Sequence, residues 1–182
     1  MFPFRLKHLL SLSILLYGVS AKAYFIDYFK AQYAGEIGVI AFGLGKNFTK
    51  KYSLEYFHGY VPKSIGGEEI ETFSLKNNYR WFQFDFGEYF SNLYTGVNVY
   101  HVTGLKYQTS RHESFPQEYY RMGSLRGLFY WGMTLESLKN KYHMGYFEAG
   151  LNDIILTNYY NNPDVIDPLE YVSLALGYGY KF

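Results

Sequence analysis

"YVSLALGYGYKF", residues 171–182, ends the chain and decides its fold, because large apolar side chains alternate along it with mostly small or polar ones. The large apolar set is Val172, Leu174, Leu176, Tyr178, Tyr180 and Phe182. The other set is Tyr171, Ser173, Ala175, Gly177, Gly179 and Lys181. Successive side chains of a β-strand point to opposite faces. This period of two therefore predicts a strand with one apolar face.

Residues 1–23 have the organisation of a secretory signal peptide. Two basic residues precede the apolar run LLSLSILLYGV at residues 9–19, and Ala21 and Ala23 form the small-x-small pattern of a cleavage site. The run is too short for a membrane-spanning helix, which needs about 20 apolar residues. We expect the signal peptide to be removed and residues 24–182 to form one exported domain.

The composition of the chain excludes several classes of protein. There is no cysteine, so no disulfide stabilises the exported domain, and the net charge of +1 gives no general attraction to nucleic acid. The five histidines lack the spacing of metal ligands, so we expect no metal and no cofactor. Aromatic residues make up 22% of the chain. They favour strands, and tyrosine and tryptophan also favour the girdles at membrane interfaces.

Alternation with a period of two recurs in eight segments, which turn residues separate. The segments are Tyr24–Gln32, Gly35–Lys46, Lys51–Pro62, Ile70–Phe84, Leu93–Gly104, Met122–Glu136, Lys141–Leu156 and Leu169–Phe182. The first is ambiguous, because it also fits a short amphipathic helix. An alternative count omits it and turns the chain at Asn77-Asn78. Both counts predict eight strands.

The connections between these segments fall into two groups. Counted back from the C-terminus, one group lies on the side of both termini: residues 47–50, 83–92 and 137–140. The other group lies on the opposite side and is mostly longer: residues 63–69, 105–121 and 157–168. Transmembrane barrels of the outer membrane have short periplasmic turns and longer extracellular loops. The pattern predicts an all-β fold, an eight-stranded antiparallel transmembrane β-barrel spanning residues 24–182.

The sixth segment indicates which face points outward. Its apolar face carries Phe129 and Trp131, whereas its other face carries Arg126 and Glu136. In a soluble barrel the apolar face would enclose a ligand, and the charges would point out to water. In a membrane barrel charges on the lipid face cost about 2–4 kcal/mol for arginine at mid-depth, and less for glutamate. We therefore expect charges to face inward as a polar network: Glu55, Lys76, Arg80, Arg126 and Glu148.

The ending "GYGYKF" resembles the C-terminal signal of the small bacterial outer-membrane β-barrels. Gly177, Tyr180 and Phe182 match its glycine, hydrophobic and terminal aromatic positions, and Ala175 departs from the polar residue of the pattern. The resemblance implies insertion into a Gram-negative outer membrane by the barrel-assembly machinery. The partners we expect are outer-membrane lipid and lipopolysaccharide, with no nucleic acid, around a monomeric barrel.

The loop after the fifth segment mixes cations with aromatic residues. Lys106, Arg111 and Arg121 lie among tyrosines and a phenylalanine. Such groups can contact the phosphates and sugars of lipopolysaccharide, although a solvated loop with no specific contacts fits the same composition. The main hypothesis is a structural, envelope-integrity or surface-interaction role.

Two further functions stay open. His112 and Ser114 have the His-x-Ser spacing of the lipid A deacylase family, in which the histidine serves as base to the serine, and YFEAG at residues 146–150 loosely resembles a strand of that family. The pair lies in a predicted loop with a proline, not on a lipid-facing strand, and a nucleophile and its base need an orienting third group. The other alternative is a passive pore, although eight strands rarely leave an aqueous channel.

Overall fold

The computed structural model describes residues 25–67, 69–103, 125–161, 163 and 167–182. The predicted signal peptide lies outside these ranges. The described residues form eight strands: β1 (Tyr28–Ala34), β2 (Ile40–Asn47), β3 (Tyr52–Val61), β4 (Ile70–Phe86), β5 (Tyr89–Thr103), β6 (Leu125–Ser137), β7 (His143–Asn152) and β8 (Ser173–Lys181). They also form two α-helices and one 3-10 helix: α1 (Lys63–Gly66), α2 (Asp153–Asn161) and Pro168–Tyr171.

The sheet is a closed barrel in which each strand pairs antiparallel with the next. β1 also pairs with β8 over seven residues, from Tyr28 opposite Lys181 to Ala34 opposite Ala175. The predicted antiparallel eight-stranded barrel is therefore confirmed. We call the end that carries the start of β1, the end of β8 and the connections at 48–51, 87–88 and 138–142 the turn end, and the opposite end the loop end.

The alternative strand count is wrong, because β4 continues through Asn77 and Asn78. Both asparagine side chains are satisfied within the sheet, so they do not need a turn. Asn77 accepts a hydrogen bond from the Tyr52 hydroxyl, and Asn78 accepts one from the Tyr130 hydroxyl at 2.6 Å. The ambiguous first segment forms strand β1 from Tyr28 onward, not a helix.

Several predicted boundaries are also wrong, and residues 169–171, predicted to begin the eighth strand, lie in the 3-10 helix Pro168–Tyr171. The predicted connection at residues 83–92 belongs mostly to β4 and β5, which meet at a two-residue turn where Gly87 has a φ of 62°, a conformation that glycine adopts easily. Residues 153–156, predicted to continue the seventh strand, begin α2 instead. Asn152 starts that helix by accepting a hydrogen bond from the Ile155 amide at 3.0 Å.

The alternation separates an apolar outer face from a polar inner face. Outward side chains stay exposed although they are apolar, for example Leu176 at 60%, Trp131 at 51% and Val97 at 48%. Inward side chains are buried although many are polar, and Lys76 and Asn98 are exposed by no more than 1%. This partition is the reverse of the one in a soluble barrel with an apolar core.

Inward glycines make room for inward tyrosines. A Cβ added to Gly96 would lie 2.3 Å from the Tyr130 ring, and one added to Gly132 would lie 2.3 Å from the Tyr94 ring. A Cβ added to Gly177 would lie 2.1 Å from the Tyr146 ring. Each ring therefore lies close to the backbone of a neighbouring strand, in the space that a Cβ would fill. This arrangement lets large aromatic side chains fill the interior of a narrow barrel.

Candidate functional site

Two ion pairs lie inside the middle of the barrel. Lys76 on β4 pairs with Glu148 on β7, on the opposite wall, and the two side chains are exposed by 1% and 5%. Lys30 on β1 pairs with Glu55 on β3 at 2.6 Å, and their side chains are exposed by 4% and 2%. Burial on this scale removes water from all four charges, so each pair depends on its neighbours for compensation.

Neutral side chains complete the surroundings of the Lys76–Glu148 pair. The Lys76 ammonium also donates to the Gln32 side-chain oxygen at 2.8 Å and lies 4.7 Å from the centre of the Phe57 ring. Glu148 accepts a second hydrogen bond from the Tyr94 hydroxyl at 2.9 Å. The pair and its contacts thus connect five strands across the interior, because Gln32, Phe57, Lys76, Tyr94 and Glu148 lie on β1, β3, β4, β5 and β7.

The surroundings of Glu55 are less complete. Its Oε1 atom accepts from Lys30 and, at 2.8 Å, from the Tyr28 hydroxyl. Its Oε2 atom is buried and has no hydrogen-bond partner among the described residues. The Lys30 ammonium lies 4.3 Å from the centre of the Tyr146 ring. A buried carboxylate oxygen without a donor is costly, so this atom keeps an unused capacity to accept a hydrogen bond.

The two arginines of the predicted network lie at opposite ends of the barrel, away from these pairs. Arg80 is near the turn end, where it donates to the Asn47 side chain and, at 3.0 Å, to the Lys50 carbonyl. Arg126 is at the loop end and pairs with Asp153 at 2.9 Å. The five predicted residues therefore form two separate groupings at the ends and one ionic cluster in the middle.

A cavity of about 430 Å³ occupies the turn end of the interior. Glu55 and Tyr94 line its inner part, and the turn residues 48–50 line its outer part. Arg80, Glu136 and Lys181 also line it, and the last two form an ion pair. A second cavity, beside Lys76 and Glu148, holds only about 10 Å³, so it has room for one water molecule at most.

The three residues of the predicted assembly signal lie on β8 and just beyond it. Gly177 faces inward against Tyr146. Tyr180 faces outward, and its ring centre lies 5.4 Å from that of His143 and 5.9 Å from that of Phe182. The Phe182 amide donates to the Asp27 carbonyl at 3.0 Å. The aromatic end of β8 is thus fixed to the start of β1 at the turn end.

The Asp27 carboxylate, just before β1, connects the start of that strand to the end of β2. It accepts hydrogen bonds from the Lys46 ammonium and the Asn47 amide, both at 2.7 Å. Burial by itself would raise the pKa of Asp27, but the hydrogen bonds from Lys46 and Asn47 outweigh burial and hold the pKa below its ordinary value of 3.8. The carboxylate is therefore charged at neutral pH.

An ionisable pair lies on the outer face near the loop end. The His58 imidazole lies 3.8 Å from the Glu71 carboxylate and stacks on the Phe73 ring at 4.9 Å between ring centres. Both polar side chains are more than 40% exposed, which suits the polar rim of the outer face. Among the described residues, the polar partner of His58 is Glu71 and not a serine or threonine hydroxyl.

Several predicted residues lie outside the described ranges: Lys106, Arg111, His112, Ser114 and Arg121. The described residues contain no group of three or more histidine, cysteine, aspartate or glutamate side chains that could hold a metal ion. Within the same ranges, no helix is both long enough and apolar enough to cross a membrane.

Sequence reasoning missed Lys30, which is the partner of Glu55, and Asp153, which is the partner of Arg126. Lys30 lies in the ambiguous first segment, and its inward position follows only once that segment is a strand. Asp153 falls within a predicted strand, and the alternation of residue types along a strand does not indicate where a helix begins. The clearest available signal was the alternation of Tyr28, Lys30 and Gln32 with apolar neighbours.

Comparison with known proteins gives one structural likeness. No family model matches the chain, and no curated protein matches it by sequence. A solved structure described as the crystal structure of the outer membrane enzyme PagL is similar to the protein, with 14% sequence identity and a TM-score of 0.49. The similarity covers 86% of this chain and 99% of that one.

Proposed function

We propose that the protein is an integral outer-membrane barrel with a structural or surface-interaction role and a filled, polar interior. The observation that carries the proposal is the exposed apolar outer face around a buried ionic interior. Exposed apolar area of this extent is rare on monomeric soluble proteins, and a closed barrel is one of two structures that satisfy every backbone hydrogen bond in lipid.

The distribution of aromatic residues on the outer face supports a membrane environment. Near the turn end, Tyr142 and Tyr180 stack with their ring centres 6.1 Å apart, and Tyr79 contacts Trp81 at 4.9 Å. The Trp81 indole N–H donates to the Thr95 hydroxyl at 2.8 Å. Rings with an apolar body and a polar tip suit the level of the lipid head groups.

A membrane location is tested by fractionation and by gel mobility. We expect the protein to sediment with membranes, to need detergent for extraction, and to run faster on a detergent gel when unheated than when boiled. A compact barrel that resists detergent explains the mobility difference. Recovery in the soluble fraction without detergent, with one gel mobility at all temperatures, contradicts the proposal.

The filled interior argues for a structural role over a pore. Phe57 and Tyr130 are fully buried in mid-barrel beside the Lys76–Glu148 pair. The cavity at the turn end does not continue past this level among the residues that line it. Conductance measurements on the protein in planar bilayers should therefore show no stable channel.

The surface-interaction role includes contact with lipopolysaccharide through Lys106, Arg111 and Arg121. Replacing these three cations with glutamine should weaken the binding of purified lipopolysaccharide, and salt should weaken binding by the parent. The matched control removes three cations of the turn end: Lys51, Lys139 and Lys141. Equal binding by the two triple variants contradicts a specific role for the loop.

The lipid A deacylase hypothesis for His112 and Ser114 has a separate test. Mass spectrometry of lipid A from a deletion strain and from a strain complemented with Ser114→Ala distinguishes an enzyme from a structural protein. We expect identical acyl-chain profiles in all strains. A chain that disappears only when the parent protein is present would replace the structural proposal with an enzymatic one.

A further inference from the structure

We propose that the cavity at the turn end is a binding site for a small polar solute with one oxyanion group, a phosphate or carboxylate, and at least one hydroxyl or amine donor. The cavity volume of about 430 Å³ falls within the range of small-molecule sites, about 300–1,000 Å³. The proposal goes beyond the structural role, and only its periplasmic location depends on the outer-membrane proposal.

The charges around the cavity favour an anionic ligand. Four cationic side chains line it, Lys30, Lys50, Arg80 and Lys181, and two carboxylates line it, Glu55 and Glu136. Two of these cations are neutralised, because Lys30 pairs with Glu55 and Lys181 pairs with Glu136. The remaining positive charge belongs to Arg80 and Lys50, which form no ion pair with another described residue.

Arg80 has the geometry of an oxyanion receptor. Its two terminal nitrogens are held by neutral acceptors, the Lys50 carbonyl and the Asn47 side chain. These contacts fix the guanidinium without cancelling its charge. A guanidinium carries five N–H donors in a planar fork that matches phosphate and carboxylate, so donors remain for a ligand.

The inner part of the cavity supplies the complementary acceptor. Glu55 lines the cavity, and its buried Oε2 atom has no donor among the described residues. In the sheet Glu55 is opposite Lys76, four residues from Arg80 along β4. At about 3.3 Å per residue this separation is about 13 Å between backbone positions, which the two long side chains shorten. A ligand with an anionic end at Arg80 and a donor toward Glu55 satisfies both.

Access to this cavity is from the turn end. At the loop end the Glu36 carboxylate accepts from the Tyr100 hydroxyl at 3.4 Å and from the Asn152 amide at 3.3 Å. Phe57 and Tyr130 fill the barrel below these contacts. In an outer membrane, with short turns on the periplasmic side, the ligand would therefore be a periplasmic solute.

Calorimetric titration of the full refolded barrel in a neutral detergent tests the proposal. The probes are glycerol 3-phosphate, glycerate, inorganic phosphate and glycerol. We expect saturable binding of glycerol 3-phosphate or glycerate, weaker binding of inorganic phosphate, and none of glycerol. Arg80→Gln should weaken binding at least tenfold and Arg80→Lys less, because lysine keeps the charge but loses the fork.

Lys139→Gln is the matched control, since Lys139 is an exposed cation of the turn end that pairs with Glu88 and does not line the cavity. It should bind as the parent does. Gel mobility of unheated samples shows that each variant is folded. Binding that is absent in the folded parent, or equal in the parent and Arg80→Gln, overturns the proposal whatever the location of the barrel. Equal affinity for inorganic phosphate and glycerol 3-phosphate overturns the role of Glu55.

Discussion

Replacing Glu148 with leucine removes the carboxylate that compensates Lys76 in the middle of the barrel. The Lys76 side chain is exposed by 1%, and the adjoining cavity of about 10 Å³ has no room for a hydration shell. Removing one partner of a buried ion pair costs about 3–5 kcal/mol. The Tyr94 hydroxyl also loses its acceptor, at about 1–3 kcal/mol if it stays unpaired. We therefore expect a loss of at least about 3 kcal/mol in the free energy of unfolding.

The assay is urea unfolding of the refolded barrel, followed by the fraction of folded protein on unheated gels. Leu174→Ala is the control on the outer face, where the side chain is 53% exposed. It removes at most about 2 kcal/mol of apolar transfer free energy and leaves no cavity, because detergent or lipid fills the space. Lys76→Met combined with Glu148→Leu should recover much of the loss, since replacing both charges removes the uncompensated one.

The outcome that refutes this reasoning is specific. If Glu148→Leu unfolds at the same urea concentration as the parent while Leu174→Ala unfolds earlier, the ionic cluster does not lie in a dry interior and the apolar face is the packed one. If the double variant is no more stable than Glu148→Leu alone, the loss comes from packing or from Tyr94 and not from the lysine charge.

Three further predictions concern the assembly signal, the Asp27 carboxylate and the inward glycines. Phe182→Ser should reduce insertion in cells far more than it lowers the stability of protein refolded in detergent; equal losses would mean that the ring acts only through its contacts. Asp27→Asn should cost about 1 kcal/mol or less at neutral pH. The depressed pKa of Asp27 gives stability that is present above pH 3.8 and is lost as the pH falls through the folded-state pKa. The urea midpoints of the parent and the variant should therefore converge below about pH 4. A difference in midpoint that does not depend on pH would exclude the carboxylate charge as the cause. Gly132→Ala should lower the free energy of unfolding by about 1–3 kcal/mol, because the added methyl group overpacks against the buried Tyr94 ring. Gly145→Ala is the control and should not lower it, since no atom lies within 4 Å of the added carbon. Equal stabilities of the two variants would show that the ring can move aside.

The alternation of residue types along each strand predicts most of the fold, because it depends only on the chemistry of neighbouring residues. Glu55 and Glu148 are inward in the structure because each lies between apolar outward positions of its strand, and Lys76 is inward because it follows the outward Leu75. This alternation does not identify which residue an inward side chain contacts across the barrel. Lys76 and Glu148 are 72 residues apart in the sequence, and their contact depends on the tilt of the strands and the stagger of the closed sheet.

The errors have local physical causes. The run Asp153–Leu156 contains two isoleucines, which favour strands, but Asn152 caps a helix there and Asp153 pairs with Arg126 at its first turn. The turn at Gly87 is shorter than the connection predicted at residues 83–92, because Asp85, Ser91 and Asn92 are residue types typical of turns but lie on β4 and β5. Whether Lys106, Arg111 and Arg121 act as predicted stays with the experiments, since they lie outside the described residues.

The seam between β1 and β8 determines when the barrel can become complete. About 150 residues separate the paired strands, and bringing the ends of a flexible chain of that length together costs about 4 kcal/mol plus a constant. Until β8 arrives, β1 and β7 each have an open edge with unpaired backbone groups beside an apolar face, a combination that favours aggregation. The chain is therefore most vulnerable to aggregation in the interval before the barrel closes, and the length of that interval depends on how quickly β1 and β8 meet.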